Sequence, residues 1–294
     1  MSLSTPRGLP TLGFGPSSRR ATSISAWFAG RIEPVTTAVN RLFVLLCGFE
    51  IIPRTISTRG RGERILISVP ITAYLLDTDH GWILFDAGLD EANLRDPARL
   101  ATNFLLKGWD PPPVVQDHHE MEPQLKHIGI GFEDISAVIL SHLHADHSGH
   151  IKRLGHADLY VQRREMEHAM SSVAGPAWFA RDYDLPGLRW HLLDGDHRLM
   201  PGIDLLATPG HTPGHMSALL ELPETGMVLL AGDVGDLMEN FDEEILPGEA
   251  SDDAEALASI RRINRLVEET DTTLMLTHDP NLLLGLRLAP DYYG

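Results

Sequence analysis

The apolar positions of this chain come in short runs separated by turn residues, and that rhythm starts at about residue 41. RLFVLLCGFEII, beginning at Arg41, predicts a strand. ILISVPITAYLLDTDHGWILFDAG predicts two strands joined by a tight turn at Asp79, His80 and Gly81. Pro70 has no amide proton to donate, which predicts an irregularity or an edge position in the first of the two. The stretch from Asp90 to Gly108 is partly helical, with Pro97 limiting where a helix starts. HHEMEPQLKHIGI predicts a short helix ending at Gly129 or Gly131. ISAVIL reads as a buried strand, and ADLYVQ, GLRWHLLD, IDLLATPG, MSALLEL, GMVLLAGD and TTLMLTHD repeat that signature. SDDAEALASIRRINRLVEET is the clearest helix. Leu257, Ile260, Ile263 and Val267 fall near one face, acids fill the first turn, and Ser251 is expected to cap it. Strand-rich segments with helices between them imply a sandwich of sheets flanked by helices.

Composition narrows the class. Of 294 residues 43% are hydrophobic, enough for a sizeable core, and no apolar run reaches the length of a membrane span. The net charge of −17 opposes a nucleic-acid surface, which needs a basic face. A single cysteine, Cys47, excludes an internal disulfide and reads as a small core residue. The first forty residues differ. Arg7, Arg19, Arg20 and Arg31 face one acid, Glu33, so the stretch is +3 and the remainder −20. We read residues 1–40 as a loosely ordered extension and 41–294 as the functional domain. A cytoplasmic location is expected, and the extension leaves export open.

SHLHADHSGH, residues 141–150, follows directly on the strand ISAVIL. His142 and His144 are two apart, a spacing that sends both imidazoles to one side of an extended chain. Asp146 and His147 follow where Ser148 and Gly149 favour a turn. Later strands end on His211 (ATPGH), Asp233 (LLAGD) and His278 (LMLTHD). Five histidines and two aspartates at strand ends are too many for one tetrahedral ion and enough for two metals sharing a carboxylate. Imidazole and carboxylate donors suit zinc and neighbouring divalent metals, and the absence of cysteine ligands opposes a structural zinc knot.

H-x-H-x-D-H, then TPGHTPGH, then GD, then THD resembles the metallo-β-lactamase superfamily over roughly residues 41–294. The resemblance implies an α/β fold, a four-layer αββα sandwich, with a dinuclear site at one edge of the sheets. It implies that His142, His144 and His211 bind the first metal, that Asp146, His147 and His278 bind the second, and that Asp233 bridges them. Asp86, in FDAG, matches a position that supports the site from behind the ligands. His215 and His150 lie outside the ligand pattern and read as supporting or surface residues. Within the superfamily the run TPGHTPGHMSALLEL, then GDVGDLMENFDEEILPG, then the late THD is most similar to the N-acyl homoserine lactone lactonases.

That similarity implies a metal-dependent hydrolase of ester bonds, with two Zn2+ ions, that opens a small-molecule lactone by attack of a hydroxide shared between the metals. The expected substrates are quorum-signal N-acyl homoserine lactones. Asp233 and Asp146 are the expected catalytic carboxylates, with Asp146 passing a proton to the departing ring oxygen. Two positions depart from the family on the substrate side: Asp236 stands where a tyrosine is usual, and Ala145 where an aromatic is common. Trp178 and Phe179, with Trp109, are candidates for an apolar wall, and Tyr183 is a candidate replacement for the missing tyrosine. His118 and His119 are expected to be solvated, and the acids at 242–244 to be surface. A homodimer is implied by family resemblance alone. The rival readings are a hydrolase of another lactone, ester or thioester on the same site, and a non-catalytic metal-binding module. A glyoxalase II type enzyme adds a helical domain, for which the sixteen residues after His278 leave no room. A β-lactamase usually lacks the bridging aspartate, and the charge opposes an RNA-processing nuclease.

Overall fold

In the computed structural model, which describes residues 37–294, eleven strands form two sheets. The first sheet has the order β1-β2-β3-β4-β5-β6: β1 Val39–Pro53, β2 Leu66–Thr78, β3 Gly81–Phe85, β4 Ile135–Ile139, β5 Asp158–Gln162 and β6 Arg189–Leu193. The second has the order β11-β10-β9-β8-β7: β7 His197–Met200, β8 Ile203–Ala207, β9 Met216–Leu222, β10 Gly226–Leu230 and β11 Thr273–Met275. The pattern of apolar runs is thus reproduced strand for strand, apart from β7, which has no apolar signature. The expectation for residues 1–40 falls mostly outside the described residues; of that stretch, Val39 and Asn40 open β1.

Alternation along the strands builds the layers. Tyr74, Leu76, Ile83, Phe85 and Ile139 point to one face of the first sheet and pack on Leu205, Ala218, Leu220, Val228 and Leu230 of the second. Their neighbours Leu75, Leu84 and Val138 point the other way, under Met121 and Leu125 of the helix Met121–Ile128. On the far side of the second sheet Leu206, Leu229 and Ala231 pack against Ile260 and Ile263 of the helix Asp253–Thr270. Side chains of period two on each strand therefore supply three apolar layers, and helices close the outer two. The fold is the αββα sandwich.

Local signals behaved with small corrections. Asp252, not Ser251, caps the long helix, accepting from the Glu255 amide at 2.9 Å; the Ser251 hydroxyl instead donates to the Gly210 carbonyl. Pro97 sits in the first turn of the helix Pro97–Asn103, with Asp96 as its cap, and Gly129 ends the helix Met121–Ile128 in the left-handed conformation. Pro70 lies in β2 beyond Tyr74, where pairing with β3 stops, so only β1 is bonded beside it. Cys47 is buried, and burial pushes its thiol up to about 12, which suits a packing role. No helix among the described residues is long and apolar enough to cross a membrane.

Topology places the chemistry. β3 runs parallel to β4, while β10 runs parallel to β11 and, through antiparallel β9, to β8. The segments leaving the carboxyl ends of these strands therefore emerge at one edge of each sheet. They are tied across the sandwich by the Met216 amide on the Ser141 carbonyl (2.9 Å) and the Thr72 hydroxyl on the Thr277 carbonyl (3.2 Å).

Candidate metal centre

The seven polar residues at these strand ends meet. Asp233 Oδ2 lies 3.7 Å from His142 Nε2, 3.4 Å from His147 Nε2, 3.5 Å from His211 Nε2 and 3.3 Å from His278 Nε2. Asp146 Oδ2 lies 3.2 Å from His147 Nε2 and 3.5 Å from His278 Nε2. His211 Nε2 and His144 Nδ1 approach to 3.2 Å. The donor atoms fall into the groups His142–His144–His211, His142–His147–Asp233 and Asp146–His147–His278.

Each ring is aimed by its other nitrogen or by its neighbours. Nδ1 of His142 bonds to the Ser141 hydroxyl (2.9 Å), and Nδ1 of His147 donates to Asp86 (2.8 Å). Nδ1 of His278 donates to the Pro70 carbonyl (2.7 Å), which the strand-edge position of that proline leaves free to accept. Such bonds fix the tautomer and leave Nε2 with its lone pair facing inward. His144 is held differently: its ring packs edge-on to Trp178 at 4.2 Å, and the following Ala145 amide bonds to the Ala177 carbonyl.

Asp86 is fully buried and accepts from the Ser141 amide (2.7 Å) and hydroxyl (2.8 Å) besides His147. It does so from a left-handed backbone, φ +61°, held between β3 and the loop after β4. His215 sits behind Asp233: its Nε2 accepts the Asp233 amide (2.9 Å), and its Nδ1 faces Thr208. Gly232 makes that approach feasible, since a Cβ there would lie 2.6 Å from His215 Nε2.

The arrangement fits metal ions on its own geometry. Two zinc-bound imidazole nitrogens in a tetrahedron are about 3.3 Å apart, given Zn–N bonds near 2.0–2.1 Å, and His144 and His211 hold theirs at 3.2 Å. His142 Nε2 and Asp233 Oδ1 are buried with no hydrogen-bond partner, a costly state that a cation relieves. Burial and the surrounding imidazoles push His142 and His144 well below the usual histidine range, so both are neutral and able to ligate. Burial opposes charge on His147 and His278 too, but the carboxylates win. Asp146, Asp233 and Asp86 raise His147 well above its ordinary range, and His278 rises to about 10. Burial likewise opposes charge on Asp146, yet His147 and His278 draw it down to about 2.

The site floors a cleft of about 610 Å³, lined by Asp146, His144, His211, Asp233 and His278 at its base. Trp109, Trp178, Ile52, Leu66 and Val69 supply apolar walls. Asp236 lines it too, and burial raises its carboxyl above the ordinary range. The other substrate-side expectations are corrected. Phe179 does not line the cleft; it is buried against Phe104, ring centroids 5.6 Å apart. Ala145 is buried in the core beside the first sheet. Tyr183 is buried and bonds to the Ala169 carbonyl, so it does not stand in for the absent tyrosine. His119 is buried edge-on to Phe49 at 5.4 Å, whereas His118 is exposed as expected.

Two carboxylates escaped the sequence reading. Glu50, on β1, lines the cleft, and burial with the charge of Asp146 pushes it up to about 8. Glu165, fully buried at the start of the helix Arg163–Ala169, bonds to backbone flanking the metal loops. A further group, Asp90, Glu91 and His150, is already satisfied: His150 bonds to the Ala87 carbonyl and to Glu91, and Lys152 sits on Asp90.

Comparison with known proteins agrees with the geometry. The family model described as Metallo-beta-lactamase superfamily matches residues 67–278. An N-acyl homoserine lactonase of a Bacillus species is 34% identical over 80% of this chain and 91% of its own length. The N-acyl homoserine lactonase AttM of Azorhizobium caulinodans is 33% identical over the same shares. A solved N-acyl homoserine lactone hydrolase with the product N-hexanoyl-L-homoserine bound at its catalytic metal centre superposes with a TM-score of 0.76 at 28% identity. That match covers 87% of this chain and all of the other.

Proposed function

The chain belongs to the metallo-beta-lactamase superfamily, and within it we propose a hydrolase that opens the ring of N-acyl homoserine lactones at a centre of two divalent metal ions. The observation that carries this reading is the convergence of four imidazoles on the Asp233 carboxylate at the floor of the cleft, with His144 as a fifth against His211. His142, His144 and His211 would hold the first metal, Asp146, His147 and His278 the second, and Asp233 both. Zinc suits this all-imidazole and carboxylate set. Two such ions supply Lewis acidity and lower the pKa of water enough to provide hydroxide at neutral pH.

The chain's own groups do the rest. Ring opening adds a water oxygen to the carbonyl carbon and breaks the bond to the ring oxygen, which needs a proton. Asp146 borders the cleft, is ionised at neutral pH, and is placed to accept the water proton and return it to the departing oxygen. His215 would pin the backbone that carries Asp233, and Asp86 would keep the His147 imidazole from turning away. The walls formed by Trp109, Trp178, Ile52, Leu66 and Val69 offer apolar surface to an acyl chain and exclude water around it.

One observation favours a second substrate class. Asp236 and Glu50 add two carboxyl groups to the lining, which suits a lactone whose substituent donates hydrogen bonds. The test is hydrolysis of a panel of N-acyl homoserine lactones, simple γ-lactones, esters and thioesters by metal-loaded protein, with stripped protein and Asp233→Ala as controls. Metal-dependent opening of the acyl homoserine lactones is the expected result. Turnover of other rings or esters alone assigns a different substrate to the same centre. Silence across the panel with two metals bound leaves a binding module.

A further inference from the structure

Glu165 has no exposed surface, yet its carboxylate serves three separate segments. Oε1 accepts the Leu143 amide (3.1 Å), inside the loop that carries His142 and His144. Oε1 also accepts the Trp178 indole N–H (3.1 Å), and the Trp178 ring packs on His144 and lines the cleft. Oε2 accepts the Gly214 amide (3.2 Å), in the loop that carries His211. The segments belong to different sheets, since the first loop follows β4 and the other lies between β8 and β9. Contact at the last point is as close as chain allows: a Cβ on Gly214 would lie 2.1 Å from the Glu165 amide nitrogen. A buried carboxylate accepting three N–H groups is a strong, directional tether.

We propose that Glu165 is a positioning residue that locks the first-metal histidines and the Trp178 wall of the cleft into one unit. The inference rests on the dinuclear reading above. His144 is one residue from the Leu143 tether and His211 three from the Gly214 tether. Neither has the hydrogen bond from its second nitrogen that aims His142, His147 and His278. For these two ligands Glu165 takes over that orienting role. None of the second-metal residues touches it, so its loss separates the two metals.

Glutamine at this position keeps one oxygen and sets an NH2 group against at least one N–H donor. The test is zinc binding measured by competition with a chromophoric chelator, alongside tryptophan emission, for wild type, Glu165→Gln, Gly214→Ala and Trp178→Phe. Wild type binds two zinc ions and its emission changes on zinc addition, and Trp178→Phe loses that change. Glu165→Gln and Gly214→Ala are expected to bind one ion as wild type does and the other about 10- to 100-fold more weakly. Trp178→Phe leaves both backbone tethers in place and keeps an aromatic ring beside His144, so it keeps zinc affinity and raises KM with kcat little changed. If Glu165→Gln does not fold, Gly214→Ala carries the test, because it forces the loop away without touching the carboxylate. Two ions bound as tightly as in wild type by both variants, whatever their melting temperatures, overturn the proposal. Failure of wild type itself to bind two ions overturns the dinuclear reading instead.

Discussion

Asp86→Asn removes the carboxylate that receives the His147 Nδ1 proton and both bonds from Ser141. The amide is nearly isosteric, so the fold should survive while metal affinity falls about 10- to 100-fold, as read by chelator competition. Unchanged affinity would show that His147 is aimed by packing alone. Protons compete at the same atoms. His147 and His278 hold theirs well above the usual histidine range, His278 to about 10, and a metal must displace them. Zinc uptake near neutral pH should therefore acidify a weakly buffered solution, and affinity should rise with pH. In stripped protein the sign is opposite. These raised values stabilise the fold fully below the unfolded histidine pKa of about 6.5, and that share is lost as pH rises through about 10. The seven donors were legible because they lie in the short segments that follow apolar strands and match a known motif set. Glu165 was not, since its partners lie 22 and 49 residues away in sequence, and neither was Glu50, one acid in a strand of apolar neighbours.

At the scale of elements, the helix Asp253–Thr270 covers the second sheet with Ile260 and Ile263, both fully buried against Leu229. Ile260→Ala should cost about 2–5 kcal/mol of unfolding free energy through lost burial and the cavity left behind. Urea unfolding checks it, and zinc stoichiometry should stay at the wild-type value because the helix contributes no donor. A loss of bound metal in that variant would mean that the sheet edge and the helix are coupled more tightly than their contacts indicate. The period-two strands and this amphipathic helix were readable from local spacing. β7 escaped because it is an edge strand whose four residues are exposed or half-buried, so no apolar alternation marks it. The cap was placed one residue early because Ser251 and Asp252 are both capping residues. Only the folded loop shows Ser251 already bonded to Gly210.

For the molecule as a whole, the two sheets meet at an edge where four imidazoles surround one carboxylate, an arrangement that bound cations stabilise. A ligand that binds only the folded state adds about 2.7 kcal/mol at a hundred times its Kd. Chelation should therefore lower the thermal midpoint, and added zinc should restore it. The most direct measurement of a two-metal lactonase is a zinc titration of stripped protein while following ring opening of N-hexanoyl homoserine lactone. Hydrolysis should climb with zinc and level off at two equivalents per chain, with Asp233→Ala flat throughout. A plateau at one equivalent, or turnover that ignores zinc, would contradict the dinuclear centre.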